Sequence, residues 1–111
     1  MDRYTYAEVL ESVEDDFQSS YKLGDDDQQA TLRLLDDFYR EIMRNNPLEA
    51  FMFYTAIFNS LYQRGKSVDY LKDKINECYE KYSVEGFKSE LNKSEIEQLL
   101  VDVEKVKAIV H

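Results

Sequence analysis

The side chains best suited to bond-making chemistry are scarce in this chain. The only histidine is the last residue, His111, and the only cysteine is Cys78, so a Ser-His or Cys-His arrangement has no positioned base. Cys78 recurs at helical spacing with Val68, Leu71, Ile75, Tyr79 and Tyr82, and a thiol on such a stripe is expected to be a packed, unreactive group. One cysteine and one histidine do not make a zinc site, and no Glu-x-x-His pair of the helical di-iron kind occurs. Any metal would need carboxylates alone.

Two carboxylate patterns invite that reading. Asp25 and Asp27 occupy the first and third positions of a calcium-loop pattern and Asp36 the twelfth, but Ala30 stands where the loop needs glycine, and residues 30–36 have helical spacing. The run Asp25 to Asp27 is better explained as the start of a helix. Glu8-x-x-Glu11 and Glu11-x-x-Glu14 resemble the magnesium-binding helix of all-α nucleotide pyrophosphatases. Those enzymes pair it with Glu-x-x-Asp, a spacing found nowhere in the chain. No catalytic residue, cofactor or metal is expected, and a magnesium-dependent pyrophosphatase stands as an alternative.

The carboxylates matter more as a field. With 23 acidic and 14 basic residues the net charge is −9, which repels nucleic acid and anionic membranes and favours a basic protein partner. Residues 1–50 carry thirteen acids and five bases, net −8, whereas residues 51–111 carry ten and nine, net −1. Crowded like charge destabilises a compact chain, so such a patch is best understood if a basic partner neutralises it and gains association rate from it. Glu11, Asp15, Asp26, Asp36 and Asp37 are the candidate contacts, joined by Tyr4 and Tyr6, since tyrosine offers contact area with a polar tip.

Helices must position these groups. Tyr6, Val9, Leu10, Val13, Phe17 and Tyr21 repeat at helical spacing, and Thr5 with Glu8 forms a capping-box pattern, predicting a first helix from about Tyr6 to Lys22. Gly24 closes it and turns the chain into a second helix on Ala30, Leu34, Leu35, Phe38, Tyr39 and Ile42, which should stop at Asn45 ahead of Pro47. Asn46 and Pro47 open a third helix that keeps almost no polar side from Ala50 to Tyr62, marking it as the buried centre. Gly65 ends it, Ser67 caps a fourth, residues 83–91 are least regular, and Asn92 with Glu95 opens a fifth on Ile96, Leu99, Leu100, Val103 and Val106. Nothing alternates as a strand would. The expectation is an all-α, single-domain antiparallel bundle of about five helices spanning residues 1–111.

No basic segment leads into an apolar run at the N-terminus, and the apolar stretch Ala50 to Phe58 is far shorter than a membrane span. With a lone cysteine, a reducing cytoplasm is the expected location.

Tyr4-x-Tyr6, Ala30-Thr31 leading to Asp36-Asp37-Phe38, and Pro47-Leu48-Glu49 leading to Phe53-Tyr54-x-Ala56 together resemble the small all-helical immunity proteins of bacterial polymorphic-toxin systems, over most of the chain. That resemblance implies a protein that binds and neutralises a cognate toxin. It agrees with the charge distribution if the toxin is basic, as a nuclease would be. The competing binding role is a nucleic-acid mimic from a phage or mobile element, directed at a host nuclease or regulator.

Overall fold

The structure, a computed structural model, describes residues 4–44, 47–66, 69, 72–81 and 84–110, without the side chains of 38–44, 47, 74, 75, 78, 84, 109 and 110. Six α-helices are present among these residues, and no strand: α1 Tyr6–Lys22, α2 Asp27–Arg44, α3 Pro47–Gln63, α4 Lys72–Lys81, α5 Val84–Phe87 and α6 Lys93–Val110. A 3-10 turn, Lys88–Glu90, links the last two. The all-α reading therefore holds, and the short α5 with its turn occupies the stretch expected to be least regular.

Local chemistry fixes the helix ends. At α1, the Thr5 side chain accepts from the Glu8 backbone N–H while Glu8 accepts the Thr5 N–H at 2.9 Å. These bonds hold the Glu8 carboxyl below the usual carboxylate range, the backbone bond contributing most. At α2, Asp26 accepts the Gln29 N–H at 2.8 Å and Gln29 returns the bond to Asp26 N–H at 2.9 Å. This places Ala30 inside a helix, so the calcium-loop pattern is not a loop. At α6, Asn92 accepts the Glu95 N–H at 2.9 Å. Gly24 and Gly65 adopt φ of +96° and +68°, the left-handed closure expected of each. The proposed stop at Asn45 and caps at Asn46 and Ser67 lie outside the described residues, as do Val68, Leu71, Tyr82 and the side chains of Phe38, Tyr39, Ile42, Ile75 and Cys78.

The core is built around α3, which packs against α1, α2, α4 and α6. Phe51, Met52, Phe53, Ile57, Phe58 and Leu61 are all buried on it, so burial extends round most of its circumference until the exposed Tyr62 near its end. From α1 come Val9, Val13 and Phe17, from α2 Ala30 and Leu34, and from α6 Leu99, Val103 and Val106. Leu100 departs from the expected inward stripe of the last helix: it sits at the stripe's margin and is exposed, as is Val101.

Several polar groups inside the bundle are tied to specific partners. The α1–α3 contact carries a cluster in which the Arg64 guanidinium meets Glu14 at 2.6 and 2.9 Å. Ser60 hydroxyl donates to the same carboxylate. Arg64 also lies over the rings of Phe17 and Tyr21, at 5.6 and 5.8 Å from their centroids. Between α3 and α4, Phe51 and Tyr79 stack at 4.7 Å, and the hydroxyls of Thr55 and Tyr79 share a 2.9 Å hydrogen bond.

Candidate functional site

The acidic hairpin of α1 and α2 is the surface on which the charge is concentrated. Helical periodicity turns Val9, Val13 and Phe17 inward, and so turns Glu11 and Asp15, one turn apart, outward. On α2, Ala30, Thr31 and Leu34 face the core, and Asp36 and Asp37 face solvent. Among the described residues, Glu11, Asp15, Asp16, Asp36 and Asp37 make no ion pair, whereas Asp25 pairs with Arg33 at 3.0 Å and Glu14 with Arg64 at 2.6 Å.

Asp16 sits where this field is densest. Its carboxyl is pushed above the usual carboxylate range, first by partial burial and then by the neighbouring charges of Asp37 and Asp15. In the fold Asp37 of α2 and Asp15 are the carboxylates that act on Asp16. A raised pKa in the folded state means that the charged form is disfavoured there, so its penalty is present at neutral pH and relieved as pH falls through the raised value. Glu14 has the opposite sign. Chiefly through the Arg64 hydrogen bond its carboxyl is held low, and its contribution to stability is lost as pH falls through that depressed value. Asp16→Asn is therefore expected to raise stability slightly at pH 7, by about 0.5 kcal/mol or less, with the gain vanishing in mild acid. Urea titrations at several pH values read this directly.

The nominated contacts divide. Glu11, Asp15, Asp26, Asp36 and Asp37 are exposed, and Tyr4 is 43 % exposed with its backbone N–H 3.4 Å from Glu49 Oε1. Tyr6 is a correction: it is 0 % exposed, and its hydroxyl donates to Asp102 Oδ2 at 2.6 Å in the core. Burial, reinforced by that bond and the Asp102 charge, pushes the phenol far above its ordinary range. Tyr6 is a positioning residue for the bundle, not a contact. Tyr6→Phe is expected to lower stability by about 1.5 to 3 kcal/mol, the usual worth of a hydrogen bond to a charged group. Partner affinity should not change, and thermal unfolding together with binding calorimetry, each on the variant and the unaltered protein, would read the two effects separately.

Sequence reasoning missed the burial of Asp102, and it read Glu95 only as a cap partner and not as a buried link to α1. Asp102 is fully buried, with Gln98 Nε2 at 3.3 Å and Lys105 Nζ at 3.8 Å on its other oxygen. Glu95 accepts the Asn92 N–H of its own cap at 3.3 Å and, with its second oxygen, the Tyr6 N–H of α1 at 3.1 Å. Each holds helices together. Of the Glu-x-x-Glu candidates, Glu8 caps α1 and Glu14 is held by Arg64. Among the described residues no three His, Cys, Asp or Glu side chains are grouped to hold a metal, and no helix is long and apolar enough to cross a membrane.

In comparison with known proteins, the family model of immunity protein Imm3 matches residues 2–110. No curated protein and no solved structure matches the chain.

Proposed function

The chain belongs to the Imm3 immunity protein family, and from that premise we propose that it binds and neutralises a cognate bacterial toxin through the acidic outer face of α1 and α2. The observation that carries this reading is the row of exposed or half-buried carboxylates, Glu11, Asp15, Asp16, Asp36 and Asp37, which make no ion pair among the described residues. Their mutual repulsion costs the free protein stability, and a basic surface laid across them removes that cost. The toxin is accordingly a basic protein, and an enzyme that grips phosphate, such as a nuclease, fits best. Tyr4 and Asp26 lie at the margins of the contact. The role is binding, with no turnover, in the cytoplasm of the producing cell.

Capture from the source cell with this protein as bait tests the reading. One basic protein should be retained at about 0.1 M salt and lost at about 1 M, where the screening length falls from about 10 Å to about 3 Å, and adding this protein should abolish its toxicity. Retention that ignores salt would move the interface off the hairpin. A captured protein whose toxicity persists would sink the neutralising role.

A further inference from the structure

The seam between α3 and α4 holds two buried amide oxygens that go unanswered. Asn59 on α3 is 4 % exposed, and its Oδ1 is buried with no hydrogen-bond donor. Asn76 on α4 is half-buried, and its Oδ1 is likewise buried and without a donor. The two helices run antiparallel across a short connection, with Thr55 opposite Tyr79 at 2.9 Å. Asn59 lies one turn beyond Thr55, and Asn76 nearly one turn before Tyr79, so the register brings the two amides to the same level of the same seam.

A buried carbonyl without a donor is costly, and a polar gap with two or more acceptors is where internal water resides in proteins. A ten-residue helix does not hold itself together in water and depends on this docking. We propose that a water molecule bridges Asn59 and Asn76, and that α4 lifts from the bundle at this hydrated joint as a unit while α1, α3 and α6 stay packed. The joint is remote in character from the acidic hairpin and does not depend on toxin binding.

Native-state hydrogen exchange of the full chain tests it. Amides in the interior of α4 should exchange at least about tenfold faster than those of α3, with a weaker denaturant dependence, as local opening requires. Combining Asn59→Leu with Asn76→Leu should then slow α4 exchange by at least about tenfold, because the joint becomes dry and the orphaned carbonyls are gone. Equal rates and equal denaturant dependence in α3 and α4 of the unaltered protein would overturn the proposal without recourse to any variant. Faster or unchanged α4 exchange in the double variant would also overturn it, the faster case showing that the amides already have partners.

Discussion

Phe58→Ala is expected to lower the free energy of unfolding by about 3 to 5 kcal/mol, through lost transfer energy and the cavity left behind. Phe58 is 0 % exposed on α3, the helix that every major neighbour touches, so the surrounding side chains have little room to collapse into the gap. Since a domain of this size has about 5 to 15 kcal/mol in total, the variant should sit near the edge of folding. Tyr62→Ala, on the same helix but 50 % exposed, is the control and should change stability by about 0.5 kcal/mol or less. Denaturant midpoints at unchanged slope would measure both. A cost for Phe58→Ala no larger than that of the control would mean that α3 is not the centre of the core.

Reversing Asp15, Asp16, Asp36 and Asp37 to lysine should weaken toxin binding by about a hundredfold or more, given the coupling energies of close charge pairs at interfaces. Four reversals raise the net charge by eight, from −9 to −1. Most of the loss should fall on the association rate, and the dependence of affinity on salt should flatten, because long-range attraction is what has been removed. All four side chains lie at the surface or its margin, and Asp16 is strained by its neighbours, so stability should hold or rise. Stopped-flow association at several salt concentrations separates these effects. Unchanged affinity and unchanged salt dependence would place the interface elsewhere, with the exposed Leu100 and Val101 of α6 the next surface to reverse.

Helix starts were the most legible part of the sequence, because a capping box is a local arrangement. Thr5 with Glu8 and Asn92 with Glu95 are each complete within four residues and form as their spacing suggests. The burial of α3 was legible for a related reason, as a helix apolar on nearly every side has nowhere else to go. Polar residues were harder, because their roles depend on partners far away in the chain. Arg64 finds Glu14 fifty positions earlier, and nothing in either local sequence announces the other. Asp102 could have been found, since Leu99, Asp102 and Val106 follow helical spacing along the buried stripe. Tyr6 likewise stands in register with Val9, Val13 and Phe17, and that periodicity was a better guide to its place than the general enrichment of tyrosine at interfaces. The partner of the acidic face is not legible in this way, because complementarity on the other side is written in a different chain.

The clasp at Glu95 bears on when the molecule becomes competent during its synthesis. This carboxylate joins the first amide of α1 to the cap of α6 across 89 positions, and Asp102 reaches the Tyr6 hydroxyl across 96. A ribosome making the chain delivers α1 and α2 early but withholds both anchors until the last helix emerges. Through most of translation the helix bearing Asp15 and Asp16 is therefore unmoored at its leading end, and contacts of such long sequence separation are the last to close. A message cut short after α3 would encode thirteen of the 23 acidic residues, those of the hairpin among them, and neither anchor, so the acidic hairpin is fastened only once α6 has been made.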